Sequence, residues 1–196
     1  MIVLRVSAAV AALFVSSVAV VLAAGSNTLS VGADERTQEA AYCSGTGGAV
    51  QNRKPFYGTN NPNPLRLAYD KDFCKYTARD GSSISLLLST LYTEKPTLAA
   101  LAYYSAQPCT TCGGGGNPAS FYCSQLGGTD LFGGVNAAGG GRVVNTPNGP
   151  DVLEACIFPN LSSIDSFGLF YRSANIIRGI DLKNVLRYHG PPKKST

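Results

Sequence analysis

The stretch that decides the fold is residues 117–172, which opens NPASFYCSQLGG and closes CIFPNLSSIDSFGLFYR. Asn117 followed by Pro118 predicts a helix start: a capping side chain, then a residue whose missing N–H costs nothing at the first helical position. That helix is expected over 119–125, stopped by Gly127 and Gly128. A Gly-rich excursion leads to a short apolar run at Cys156, Ile157 and Phe158. Ser162 and Ser163 then precede a second apolar stretch over 164–171. The order is helix, extended pieces, helix, and the fold class expected is α+β.

Working outward, the same pattern occurs earlier in the chain. YCSGTGG at 42–48 stands against YCSQLGG at 122–128, 80 residues later. Cys74 precedes an apolar run as Cys156 does, and Ser82, Ser83 and Ile84 fall on Ser162, Ser163 and Ile164. Thr97-Leu98, with an apolar run to Tyr104, matches Asp181-Leu182 with a run to Tyr188. An ordered series of matches at nearly one spacing, 80 to 84 residues, is the signature of a duplicated unit. The expectation is two tandem, disulfide-stapled repeats at 34–108 and 117–190, joined by a Cys/Gly-rich junction at 109–116. If the halves share one fold, symmetry pairs Cys43 with Cys74 and Cys123 with Cys156. Each loop so closed contributes on the order of 3 to 4 kcal/mol. Cys109 and Cys112 are left at the junction, with their pairing open.

Residues 117–172 also resemble a small domain of unknown function found in bacterial secreted proteins and lipoproteins and often labelled haemolysin. Asn117, Pro118, Ala119, Tyr122, Cys123, Gly127, Gly128, Cys156 and Phe158 carry the resemblance. This chain departs from that family in lacking a Trp and further cysteines around the last helix; Ile164 and Phe167 stand there instead. The resemblance implies no catalytic residues.

The ends bound the compartment. Arg5 followed by an apolar run to Leu22 and small residues reads as a signal peptide over 1–23, followed by a polar lead over 24–33. No later run is long and apolar enough to cross a bilayer. All six cysteines lie beyond the leader, an even count expected to be oxidised in an exported chain. Secretion is therefore expected, to the periplasm or cell surface in a bacterium. The formal net charge is +4, one unit of it from Arg5 in the leader. That is too mild for a nucleic-acid partner. Arg178, Lys183, Arg187, Lys193 and Lys194 read as a solvated helix face running into a disordered basic tail over 191–196.

In between, a short helix is expected over 35–42, a proline-rich loop over 53–64 and strands over 65–76 with a turn at Asp80-Gly81. SLLLSTLY at 85–92 fits a strand or a helix, and its match to IDSFGLFY favours helix. Residues 97–105 read as a helix, and 133–141 as a Gly-rich connection.

No constellation for reaction chemistry emerges. Cys109 and Cys112 have C-x-x-C spacing, but four glycines follow where a redox site would open a helix. Zinc would need a fourth ligand beside Cys109, Cys112 and Cys123. His189, the lone histidine, forms no known motif with Asp165, Asp181 or the serines. Asp70, Asp72, Asp80, Asp130, Asp151, Glu154 and Asp165 could supply paired carboxylates, with no signature in their spacing. The glycine runs lack the Lys and Ser/Thr of a phosphate loop. Asn160-Leu161-Ser162 is a glycosylation sequon. No catalytic residue, metal or cofactor is expected.

The function expected is that of a secreted binding protein for an extracellular protein or carbohydrate. One alternative is an inhibitor or effector of a foreign enzyme. Its inserting element would be the proline-rich loop, with Arg53, Lys54, Phe56 and Tyr57, or the Gly-rich segment around Arg142. A second alternative is a carboxylate-dependent extracellular hydrolase. Membrane damage finds no support, because no amphipathic segment of membrane length is present.

Overall fold

A computed structural model of the chain describes residues 27–67, 69–130 and 137–191. The expected leader, most of the basic tail with Lys193 and Lys194, and part of the Gly-rich connection lie outside the described residues.

The elements run α1 (Asn27–Gly45), β1 (Ala49–Tyr57), β2 (Leu65–Arg66), β3 (Lys71–Thr77), β4 (Ser83–Leu87), α2 (Leu88–Tyr92) and α3 (Leu98–Ser105). They continue with α4 (Pro118–Gln125), β5 (Thr129–Asp130), β6 (Gly140–Thr146), β7 (Gly149–Leu153), β8 (Ala155–Ile157), β9 (Ser163–Asp165) and α5 (Ser166–Ser173). A 3-10 turn follows at Leu182–Asn184. The class is α+β. The strands do not divide into two separate sheets, one for each expected repeat: they form one antiparallel sheet in the order β5-β8-β9-β4-β3-β1-β6-β7, with β2 beside β1.

The halves meet at two places in the sheet, at β1 and β6, where Lys54 to Tyr57 pair with Val143 to Gly140, and at β4 and β9, where Leu86 pairs with Ile164. Both side chains are buried, because each half alone has too little apolar surface to close a core. One cluster takes Tyr76, Leu86, Leu91 and Tyr103 from the first half and Tyr122, Phe158, Ile164 and Leu169 from the second. At Gly168, α5 comes so close to β4 that an added Cβ would lie 2.6 Å from Ile84 Cδ1.

Local chemistry explains the elements that were foreseen. Asn117 caps α4 by accepting from the N–H groups of Ala119 at 3.0 Å and Ser120 at 3.3 Å, with Pro118 in the first turn. Thr97 caps α3 through Ala100 N–H. The cysteines pair as 43–74, 109–112 and 123–156. The β3–β4 and β8–β9 turns close with the same bonds. Ala78 N–H donates to Ser82 O at 2.9 Å and Phe158 N–H to Ser162 O at 3.0 Å.

Four expectations change. α1 begins at Asn27, inside the expected polar lead. Residues 85–92 split into the end of β4 and the short α2, because the apolar run is buried in the sheet before it turns. Arg53 to Tyr57, read as loop, belong to β1; Pro55 is tolerated where β1 changes neighbour from β3 to β6. The run after Asp181 forms a 3-10 turn instead of a helix, and Gly190 and Pro191 soon stop the chain.

Candidate functional site

An open cleft of about 960 Å³ is floored by Leu87, Leu88 and Thr90. Its walls are α1, the start of β3, the residues following α2, and the β8–β9 turn at Asn160, Leu161 and Ser162. It exists because β4 and β9 are neighbours, which brings a turn of the second half over helices of the first.

Much of the lining is charged, and part of that charge is tied internally. Arg36 pairs with Asp72, whose other oxygen accepts from Asn52 Nδ2 at 2.8 Å. Arg187 pairs with Glu94 and stacks over the Tyr92 ring at 4.3 Å. Asp70 is held by Arg66 at 3.1 Å. Glu35, Glu39, Lys71 and Lys95 also line the cleft, and among the described residues their side chains make no ion pair or hydrogen bond. Burial raises the Glu39 carboxyl above the ordinary glutamate range; Glu35 and Asp72 add repulsion and Arg36 opposes it.

A second cavity, of about 360 Å³, lies near the seam and includes Arg53, Lys75, Asp151, Glu154, Asp165 and Arg178. Arg53 is 1% exposed. It donates to Gln51 Oε1, to Asp151 Oδ2 at 2.9 Å and to the carbonyls of Arg142 and Asp151. Lys75 Nζ reaches the same Asp151 oxygen at 2.8 Å. Asp151 pays for its burial, which acts to raise it, but the bonds to Lys75 and Arg53 win and hold it below the ordinary range. Asp165 caps α5 by accepting from Gly168 N–H at 3.0 Å. Burial nevertheless lifts its carboxyl to about 6.

Asp130 sits on β5, outside this cavity. Burial lifts it to about 6, Glu154 adds repulsion, and the Ser166 and Ser120 hydroxyls hold the rise down. Neither hydroxyl reaches hydrogen-bond geometry, so both carboxylate oxygens are unpartnered among the described residues. Glu154 accepts from Asn117 Nδ2 at 2.5 Å. Among the described residues no group of three or more His, Cys, Asp or Glu is placed to hold a metal ion.

Most of the residues singled out in the sequence are thus dispersed. Arg53 is interior, which removes it from any inserting loop. Arg142 donates to Tyr69 O at 2.7 Å. Lys54 and Tyr57 are exposed at the far end of β1 with Phe56 half-buried between them. The loop beyond is pinned to the Gly-rich segment by Gly58 N–H to Gly139 O and Asn60 N–H to Ala138 O, both 2.9 Å. Asn160 is exposed, its Oδ1 accepting from Ser162 Oγ at 2.7 Å. His189 is exposed, whereas Asp165 is buried and Asp181 is occupied by Tyr103 OH and Lys183 N–H. Among the described residues, the basic side chains of the C-terminal stretch share no helix face. Arg178 lies over Tyr171, Lys183 over Tyr104 and Arg187 over Tyr92. Asp70, Asp72, Asn160 and Arg187, singled out in the sequence for other reasons, line the cleft together; Glu35, Glu39, Lys71 and Lys95 were missed, and the helical spacing of Glu35 and Glu39 was the available signal.

No family model matches the chain, and no curated protein or solved structure is similar to it. No helix among the described residues is long and apolar enough to cross a membrane.

Proposed function

We propose that the protein is a secreted, disulfide-stapled binding protein, without catalytic activity or cofactor, that takes an extracellular ligand into the open cleft. The observation that carries this reading is the set of charged side chains, Glu35, Glu39, Lys71 and Lys95, that line this cleft without a partner among the described residues. Glu35, Lys71 and Lys95 are exposed and Glu39 is half-buried, so both signs of charge are open to a ligand here, and at Glu39 a ligand can also return part of the cost of burial. The leader read over 1–23 and the three disulfides support export.

We also propose that the halves descend from one unit of the kind that residues 117–172 resemble. The succession α1-β1-β3-β4-α2 parallels α4-β5-β8-β9-α5, with β6 and β7 as an added hairpin. Each copy places its disulfide against the glycine that follows its first helix.

Ser89 is exposed on the cleft lining, so Ser89→Trp fills the cleft without touching the core. Ligand retained from the native extracellular fluid by the wild type and lost by Ser89→Trp supports the reading. Retention that is equal on both would remove the cleft from it.

Two other readings have an observation each. The acids around the seam favour a carboxylate-dependent hydrolase, since two of them are lifted to about 6. Against it, Asp165 caps a helix and Asp151 is neutralised by Arg53 and Lys75. Turnover of chromogenic glycosides or esters that Asp130→Asn abolishes would favour that enzyme. An inhibitor is favoured by the exposure of Leu65 and Tyr69 beside the pinned proline-rich loop.

A further inference from the structure

The β3–β4 and β8–β9 turns provide an internal comparison at the cleft mouth. In the first, Gly81 N–H donates to Ala78 O at 3.0 Å, and Ser82 N–H to Asp80 Oδ1 at 2.9 Å. In the second, Leu161 N–H donates to Phe158 O at 2.8 Å, and Ser162 N–H to Asn160 Oδ1 at 3.3 Å. Gly81 has φ +82° and Leu161 has φ +64°. Glycine adopts that left-handed conformation at no steric cost, and leucine does not. Leu161 is also 75% exposed, so packing within the chain does not offset the strain. A large apolar side chain held in a strained turn at the rim of a cleft points to a contact outside the chain.

The remaining lining separates the two ligand classes. Tyr92 is the aromatic residue of the lining. Arg187 covers its face at 4.3 Å, and Tyr42 meets it edge-on at 5.7 Å. Arg187 therefore takes one face of this half-buried ring, which leaves less of it for the apolar face of a sugar to stack upon. The unpaired Glu35 and Glu39 on α1, with Lys71 and Lys95, call for a ligand that carries both signs of charge, which polypeptides do and simple sugars do not.

We infer that the cleft takes a polypeptide bearing basic and acidic side chains, and that Leu161 is the apolar anchor that docks into it. This rests on the cleft being the binding site. The test pans a phage-displayed random dodecapeptide library, and in parallel a glycan array, on the full oxidised chain, then compares wild type with Leu161→Gly and Ser89→Trp. The expected result is a set of selected peptides whose affinity falls at least tenfold in both variants, while Leu161→Gly melts no lower than wild type. Peptide affinity unchanged by Leu161→Gly, or a fall in its melting temperature, overturns the role of Leu161. Glycans bound in a Ser89-dependent way, without peptides, overturn the polypeptide and leave the cleft standing. Peptides insensitive to Ser89→Trp, or neither class bound, overturn the cleft as well.

Discussion

Asp130 and Asp165 are the residues at which burial and charge conflict most. Below about pH 4 a carboxylic acid is largely protonated in the unfolded chain as well, whereas in the folded chain these two keep the proton up to about 6. Their contribution is thus fully present on the acid side and is lost as pH rises through about 6. Asp151 runs the other way: its depressed value supplies stability above about pH 4 that disappears on further acidification. Thermal melts are expected to peak near pH 4 and to fall between about pH 4 and 6. Asp130→Asn should raise stability at pH 7 by about 1–3 kcal/mol and flatten that fall. Asp165→Asn should behave alike while keeping the α5 cap, since Asn caps as well as Asp. Asp165→Ala should forfeit about 1 kcal/mol of that gain. The acids themselves were visible in the sequence. Their burial was not, because it depends on which strands flank β8 and β9.

Among the elements, each first helix is tied to its strand by a disulfide that leaves no room beside it. A Cβ on Gly48 would lie 2.2 Å from Cys74 Sγ, and one on Gly128 would lie 2.4 Å from Cys156 Sγ. Gly48→Ala and Gly128→Ala should each destabilise by about 1–3 kcal/mol through overpacking. Gly115→Ala, which meets nothing within 4 Å, should be close to neutral in the same urea titration. The α4 cap, the α3 cap and the Asp80-Gly81 turn were legible because each rests on two or three adjacent residues. β1 was misread beyond Asn52. Lys54 and Pro55 look like loop residues, and only the buried Arg53, bonded across to Asp151, shows why an extended strand persists there. The 3-10 turn after Asp181 failed to become a helix for a local reason, a capping Asp followed within ten residues by Gly190 and Pro191.

At the scale of the molecule, sequence matching could pair the cysteines but not place the halves. Spacing between like residues is blind to whether two units stack side by side or join edge to edge. That difference rests on two joins, β1 with β6 and β4 with β9, and at the second the buried pair Leu86 and Ile164 has a neighbourhood in sequence that is merely apolar. Leu86→Ala and Ile164→Ala should each cost about 2–5 kcal/mol, and each should lower the stability of both halves together. The same join creates the cleft, so such variants should also weaken any ligand that Ser89→Trp excludes. Scanning calorimetry of the oxidised full chain tests the joined sheet most directly. One transition, with equal calorimetric and van't Hoff enthalpies, is the result expected. Two transitions, one of them surviving when Ile164→Ala removes the other, would show that the halves are separate units and that the cleft between them is not a fixed feature of the fold.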